Sequence, residues 1–233
     1  MTTQSRLSKT SIISDHVKAL STAITGLDWA VVPLIAGTLK HAKHVWVCGN
    51  GGSAANAAHF VLHLREIHKG ATDMINDTIM ISAYSNDNSW DKSLRQQLHY
   101  FAHSDDVLVV ISGSGDSANI ILALTEARRL GMRTIGLLGM GGGGALSLCN
   151  LACVVASDDY GVVEDAHSAI VHVLKKLLAA RGGGGQFQRH KADAADAGAH
   201  AHRRKRAHAP KAGGAAAGRG GPQDGSVPGA EGG

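Results

Sequence analysis

The spacing of apolar residues in the first part of the chain is that of two helices. Between about residues 9 and 24, isoleucine, valine and leucine recur every three or four positions, which predicts a helix with one apolar face. The same spacing returns over about 28–42, where Asp28 is a candidate N-cap. Pro33 lacks an amide hydrogen, so we expect a kink or a late start in this second helix.

Further along, the apolar residues gather in short runs. Such runs, alternating with helical stretches, are typical of parallel strands buried on both faces. The runs lie at 44–48, 78–83, 106–111, 133–138 and 151–155. The helical stretches lie near 53–67, 90–102, 117–130, 142–149 and 162–180. The pattern predicts an α/β fold, a three-layer sandwich in which helices cover both faces of a five-stranded parallel sheet.

Composition changes at Arg181. Residues 181–233 are mostly Gly and Ala with scattered basic residues, and they cannot bury enough apolar surface to offset the entropy of ordering them. We therefore expect one folded domain over 1–180 and a disordered tail over 181–233. The two parts carry net charges of −1 and +5, which together give the +4 of the whole chain. Only the tail is basic, so we expect no nucleic-acid partner except through it.

Cysteine usage and hydropathy bear on the compartment. The three cysteines are odd in number, and two of them lie in or beside predicted buried strands, as is common in a reducing compartment. We find no run of 18 uncharged apolar residues and no apolar segment after the first residues. The sequence favours a cytoplasmic protein that does not enter a membrane.

Two loops combine glycine with polar side chains. Gly49-Asn50-Gly51-Gly52-Ser53 follows the first strand, Ser112-Gly113-Ser114-Gly115-Asp116-Ser117 follows the third, and each opens a helix. In parallel sheets ligands bind beyond the carboxyl ends of the strands, here at 49–53, 84–89 and 112–117. Glycine lets the backbone approach a ligand, and a helix N-terminus presents free amide hydrogens, so both loops suit an anion.

The chemistry of these loops narrows the ligand class. No Walker motif and no Gly-x-Gly-x-x-Gly with a downstream ribose acid occurs, which disfavours a nucleotide. Backbone amides and hydroxyls without a lysine suit a phosphomonoester carried on something else, such as a sugar. The sequence therefore predicts a sugar phosphate as the small-molecule partner.

Four segments together resemble the sugar isomerase (SIS) domain of phosphoheptose isomerases. They run in the family's order and spacing over roughly residues 8–180. They are Gly49-Asn50-Gly51-Gly52-Ser53-Ala54-Ala55-Asn56-Ala57-Ala58-His59-Phe60, the pair Asn86-Asp87, Ile111-Ser112-Gly113-Ser114-Gly115-Asp116-Ser117-Ala118-Asn119, and Glu164-Asp165-Ala166-His167 followed by His172.

The resemblance implies an activity and an assembly. It implies conversion of sedoheptulose 7-phosphate to D-glycero-D-manno-heptose 7-phosphate, which supplies heptose for surface polysaccharide or activated sugars. It also implies a homotetramer with sites at subunit interfaces. The substrate-binding residues that it implies lie in both loops and at one aspartate. They are Asn50, Gly51, Ser53, Asp87, Ser112, Gly113, Ser114 and Ser117, with Gly113 where the family usually has threonine.

The catalytic set departs from the family at two positions. An aldose-ketose isomerase needs a base and an acid that titrate near neutrality, or one such group aided by a Lewis acid. His63 stands where the family usually has a glutamate that serves as base and metal ligand, and Glu164 stands where it usually has glutamine. We expect Glu164 to transfer the proton with His172 as its partner, while His63 polarises the carbonyl or holds metal.

Spacing also allows a metal site. His59 and His63 are four residues apart and share a helix face, and Glu164 and His172 share a face two turns apart. Three imidazoles and one carboxylate make a plausible Zn²⁺ shell, so the four are the predicted ligands.

A function of another class stays open. The loss of glutamate at position 63 favours a non-catalytic SIS protein, either a sugar-phosphate sensor or an adaptor for a replication initiator. The retained His172 and the complete phosphate loops favour the enzyme. The basic run at 203–206 is a third candidate feature, for contact with nucleic acid.

Overall fold

The computed structural model of the chain describes residues 9–74 and 77–180. Eight α-helices and five strands are formed in this part of the chain. The helices are α1 (Lys9–Thr25), α2 (Val31–His41), α3 (Gly52–Arg65), α4 (Thr78–Asp87), α5 (Ser93–Phe101), α6 (Ala118–Arg129), α7 (Gly143–Leu146) and α8 (Tyr160–Ala180). The strands are β1 (Val45–Gly49), β2 (Ala71–Asp73), β3 (Val107–Ser112), β4 (Arg133–Gly139) and β5 (Leu151–Val155).

The strands form one parallel sheet in the order β2-β1-β3-β4-β5. This confirms the predicted five-stranded parallel sheet. The chain order reverses between β1 and β3, which are neighbours although β2 lies between them in sequence. Ligand crevices in such sheets lie at the carboxyl ends of the strands where the order reverses. The reversal therefore puts the two glycine-rich loops on either side of one crevice.

Alternation along the strands divides the core into two layers. Val45 and Val47 of β1 face a cluster built with residues of α2, α3 and α8. Trp46 and Cys48 face the opposite cluster, built largely with residues of α5 and α6. Successive strand residues point to opposite faces, so near-continuous apolar runs place a core on each side of the sheet. The result is the predicted three-layer sandwich.

The prediction for the second strand was wrong. Residues 78–83 lie in α4, and the strand beside β1 is Ala71–Asp73. The Asp77 carboxylate accepts a hydrogen bond from the Met80 amide at 3.1 Å, which caps a helix start at this point. None of the ten residues of α4, all of which are described, is buried. A short apolar run fits either element, and here the cap decided.

The remaining helix predictions hold within a few residues, except near 142–149, where α7 is only four residues long. In α2 the late start is confirmed, because the helix begins at Val31 and Pro33 lies in its first turn. No described helix is both long and apolar enough to cross a bilayer. The predicted disordered tail, its boundary at 181 and the basic run at 203–206 lie outside the described residues.

Candidate active site

The first loop joins β1 to α3 at very close quarters. A Cβ on Gly49 would stand 2.6 Å from the carbonyl oxygen of Ser53 and 2.8 Å from that of Ile111, so only glycine fits. Gly51 has φ +56°, a conformation that other residues rarely adopt. Ser53 follows in the first turn of α3 and is buried. The loop thus directs the amino end of α3 into the crevice.

The second loop is held by its own hydroxyls. The Ser112 hydroxyl accepts a hydrogen bond from the Gly115 amide at 3.0 Å, and the Ser114 hydroxyl accepts one from the Asp116 amide at 3.3 Å. A hydroxyl that accepts in this way still has its own hydrogen to donate. These hydrogen bonds fix the shape of the loop, and the hydroxyl hydrogens of Ser112 and Ser114 are still free to bind a ligand.

The two loops share one cleft of about 270 Å³. The first loop is tied to the start of α6 by Asn50 and Asn119, whose side-chain amides donate to each other's oxygens at 2.9 Å in both directions. The lining includes eight residues of the two loops and two residues of α8. They are Asn50, Gly51, Gly52, Ser53, Ser112, Gly113, Ser114 and Ser117, with Tyr160 and Glu164. The structure thus brings all seven predicted loop residues together.

Glu164 lies in this cleft. Its carboxylate contacts the α-carbon region of Gly52, where a Cβ would collide with both carboxylate oxygens. Its backbone carbonyl accepts a hydrogen bond from the Asn56 side chain at 2.9 Å, which joins α8 to α3. Glu164 is half-buried, and among the described residues it is the one carboxylate that lines the cleft.

Further along the same two helices lies a cluster of imidazoles. The apolar face of α3 buries Phe60 and Leu64 in the core, which turns His59 and His63 toward α8. The ring centroids of His59 and His63 are 4.4 Å apart, and that of His172 lies 5.0 and 5.4 Å from them. One nitrogen from each of the three rings lies within 4.8 Å of the others.

Burial and positively charged neighbours lower the pKa values of two histidines in this cluster. Burial lowers the pKa of His59, and His172 and Lys175 lower it further. Burial also lowers the pKa of His63, with Lys175 as the next contribution and Glu66 opposing it. Both rings are therefore neutral near pH 7 and keep a nitrogen lone pair.

The chemistry of this donor set suits a divalent metal. Three imidazole ligands leave one position open in a tetrahedral Zn²⁺ shell, as in catalytic zinc sites. The Nε2 atom of His63 is buried and has no hydrogen-bond partner within the described part of the chain. The predicted fourth ligand, Glu164, is not in the cluster, since it lies about 12 Å back along α8 in the cleft.

One predicted substrate contact is not brought to the cleft. Asp87 is exposed at the end of α4, where its carboxylate accepts a hydrogen bond from Asn86 at 3.1 Å. The resemblance implied Asp87 as a substrate contact, and the loop expected at 84–89 depended on a strand at 78–83, but that segment is helical. The expected loop beyond a strand end is therefore absent from the described fold at this point, and Asp87 does not line the cleft.

Two residues of the site were missed by sequence reasoning. The Tyr160 ring lines the cleft, and a Cβ on Gly113 would stand 2.7 Å from its Cε1 atom. Tyr160 therefore occupies the space of a side chain at position 113, where the resemblance implied threonine. Lys175 contacts His63, and its spacing of three from His172 was the signal that could have found it.

The chain is similar to known proteins in sequence and in fold. A model of the SIS domain family matches residues 10–139. The phosphoheptose isomerase of Campylobacter concisus is 36% identical over 167 residues, which are 69% of this chain and 86% of that protein. The phosphoheptose isomerase of Geotalea daltonii is 39% identical over 158 residues, which are 65% of this chain and 82% of that protein.

Among solved structures, the phosphoheptose isomerase of Neisseria gonorrhoeae superposes with a TM-score of 0.67 at 27% identity. The superposition covers 72% of this chain and 95% of that one. The chain belongs to the SIS domain family, in its phosphoheptose isomerase branch, and is an isomerase that acts on phosphosugars.

Proposed function

We propose that the chain interconverts sedoheptulose 7-phosphate and D-glycero-D-manno-heptose 7-phosphate. The observation that carries the proposal is the Glu164 carboxylate, which lines the same cleft as both glycine-rich loops. Relatives that are 33–39% identical carry the name phosphoheptose isomerase. A carboxylate beside the phosphate-binding cleft can supply the general base that a sugar-phosphate isomerase needs.

The phosphoryl group binds between the two loops. The amino end of α3 and the hydroxyls of Ser53, Ser112 and Ser114 supply hydrogen-bond donors. The described residues that line the cleft include no lysine or arginine, so binding rests on amides, hydroxyls and the helix terminus. Tyr160 closes one side beside Gly113.

The length of the site favours a long sugar. Ser53 and His59 are six residues apart on α3, a rise of about 9 Å. The two glycine-rich loops at 49–53 and 112–117, which we call the cradle, therefore lie well apart from the imidazole cluster. A substrate that engages both regions must extend along the α3 and α8 pair. A seven-carbon sugar phosphate meets this requirement better than a triose phosphate.

Glu164 moves the carbon-bound proton. The reacting carbons C1 and C2 must therefore lie between Glu164 and the imidazole cluster, which is about 12 Å further along α8, so that side chains reach them from both directions. Glu164 removes the proton from C1 of the ketose to give an enediol and returns that proton to C2 of the aldose, so the step is balanced without a further reactant. His172 carries the second proton from the oxygen on C1 to the oxygen on C2. His63 donates a hydrogen bond to the carbonyl oxygen as negative charge develops on it.

The imidazole cluster also suits a metal. His59, His63 and His172 would hold a divalent ion such as Zn²⁺, which would supply Lewis-acid polarisation of the substrate carbonyl. Glu164 has the same role in proton transfer whether or not the imidazole cluster holds a metal ion.

The test is direct incubation with sedoheptulose 7-phosphate and detection of the aldose product, before and after treatment with a chelator. We expect product. Product that disappears on chelation and returns with Zn²⁺ assigns carbonyl polarisation to the metal, and product that persists assigns it to His63. No product under either condition, together with stabilisation by the sugar phosphate, would identify a binding protein instead.

We also propose that the protein is a homotetramer in the cytoplasm. Large apolar side chains of α1 are exposed in the single chain, namely Ile12, Ile13 and Val17. The three cysteines are unpaired, and burial raises the pKa of Cys149 and of Cys153 to about 11. Such thiols suit a reducing compartment. Light scattering would test the assembly, with four times 24.1 kDa expected.

A further inference from the structure

Lys175 reaches across from α8 to the imidazole cluster. Its Nζ atom lies 2.9 Å from Nδ1 of His63 and 3.1 Å from Oε2 of Glu66. The side chains of Lys175 and Glu66 are only 31% and 23% exposed, so the contacts are shielded from water. Lys175 also lies on the same face of α8 as His172, three residues further along.

The contact between Lys175 and His63 has one chemical form. A lysine ammonium has three hydrogens to donate and no lone pair, so Nδ1 of His63 must be the acceptor. A neutral imidazole that accepts at Nδ1 carries its own hydrogen on Nε2. In this arrangement one nitrogen of His63 has its lone pair engaged by Lys175, and the other has no free lone pair.

To bind a metal ion, His63 needs a nitrogen whose lone pair is free. An imidazole binds Zn²⁺ through a free nitrogen lone pair. His63 can therefore join His59 and His172 only if Lys175 leaves Nδ1, which lets the ring bind through Nδ1 or move its hydrogen there and bind through Nε2. The ion pair with Glu66 gives the ammonium a place to stay once it releases the ring.

We propose that Lys175 is an internal competitor for the metal site, because it occupies the one free lone pair of His63, on Nδ1, and so keeps this ring from binding an ion. The proposal rests on the proposed function only in taking the three histidines as the metal site. Lys175 acts through His63 and is a positioning residue. Its removal should tighten metal binding, since a charge-assisted hydrogen bond no longer has to be broken and a positive charge is gone.

The first experiment measures Zn²⁺ affinity by competition with a chromophoric chelator. We expect Lys175→Met to lower the Kd for Zn²⁺ by about ten- to a hundredfold. Lys175→Arg keeps a cationic donor and should stay near the wild-type value. Lys176→Met is the matched control, because Lys176 is the next residue of α8, carries the same charge and is exposed. Thermal unfolding of each variant verifies that it is folded.

Equal Zn²⁺ affinity in the wild type and Lys175→Met would overturn the competition. So would equal tightening by Lys176→Met, because the effect would then come from net charge alone. Failure of both the wild type and Lys175→Met to bind Zn²⁺ would also overturn it, even if the isomerase assay succeeds. Tightening that is confined to Lys175→Met without any product from the sugar phosphate would uphold the competition and refute the substrate.

The second experiment needs no metal. The ¹⁵N chemical shifts of the His63 ring distinguish a protonated from an unprotonated nitrogen. We expect the hydrogen on Nε2 in the metal-free wild type and in Lys176→Met, and a loss of that preference in Lys175→Met. A hydrogen on Nδ1 in the wild type would contradict the contact and overturn the proposal.

Discussion

The two halves of the site are built in different ways. The cradle consists of backbone amides and short hydroxyls at the ends of β1 and β3, where contacts at Gly49 leave no room for a side chain. The imidazole cluster consists of long side chains on α3 and α8, whose rings meet across the helix pair. The first half is set by the main chain and the second by side-chain identity.

The two departures from the family pattern show what this difference means. At Gly113 the resemblance implied a threonine, and here Ser112 and Ser114 accept hydrogen bonds from the loop backbone while Tyr160 fills the space beside Gly113. At His63 the resemblance implied a glutamate, and here the ring has a lysine partner. A backbone site tolerates a change of side chain, whereas a side-chain site changes its chemistry.

The largest expected effect is a loss of turnover when Glu164 is replaced. We expect Glu164→Gln to lower kcat for the isomerisation by about 10²- to 10⁴-fold with little change in KM, because the base is lost and the cradle is kept. Asp165→Asn is the matched control, since Asp165 is the next residue and is exposed. Steady-state kinetics on sedoheptulose 7-phosphate give both constants. Unchanged turnover in Glu164→Gln would remove this residue from the mechanism.

The next effect concerns the helix that joins the two regions. His167 of α8 is fully buried, and no described residue makes a well-formed hydrogen bond to either of its ring nitrogens. Burial lowers its pKa to about 4 from 6.5, against a smaller opposing contribution from the Leu138 backbone. Between these values the unfolded chain binds the extra proton, so the free energy of unfolding falls as the pH falls.

We expect a loss of about 3 kcal/mol from this group between pH 7 and pH 4. His167→Leu should remove that part of the acid dependence, and His103→Leu, at an exposed position, should keep it. Urea unfolding across this range measures the slope. His59 and His63 act in the same direction, so the difference between the two variants isolates His167. Identical slopes in both variants would contradict the assignment.

A smaller effect, on KM, is expected when a hydroxyl of the cradle is removed. We expect Ser53→Ala to raise KM by about ten- to a hundredfold with kcat nearly unchanged, as expected for the loss of one hydrogen bond to a charged phosphate. Ser147→Ala removes an exposed hydroxyl outside the cleft and should change neither constant. Inorganic phosphate should compete with substrate in the wild type. A fall in kcat without a change in KM would place Ser53 in the chemical step.

The smallest effect tests the backbone itself. A Cβ on Gly51 or on Gly37 would meet nothing within 4 Å, but only Gly51 has a positive φ, +56°. We expect Gly51→Ala to cost about 1–2 kcal/mol of unfolding free energy and to weaken substrate binding. Gly37→Ala, in the middle of α2, should instead add about 0.5–1 kcal/mol. Denaturant unfolding measures the free energy of unfolding of both variants, in which the added methyl group meets no other atom. Equal changes in the two variants would show that the positive φ of Gly51 does not determine the cost.

Sequence reasoning succeeded where the signal is local and repeated. Four strands were predicted from buried apolar runs, and the loops at 49–53 and 112–117 from glycine and serine at strand ends. It failed at the edge of the sheet, where β2 has three residues and the apolar run at 78–83 belongs to a capped helix. An edge strand this short carries too few residues to show a period.

The sequence by itself determined the parallel α/β sandwich, the two loops and the identity of the histidines and the carboxylate, because local periodicity and residue type express these directly. Only the tertiary structure decided their grouping: Glu164 with the cradle, three imidazoles apart from it, Tyr160 against Gly113 and Lys175 on His63. These contacts join residues far apart in the chain, and their distances depend on how α3 and α8 pack side by side. No pattern along a single chain encodes such a packing distance.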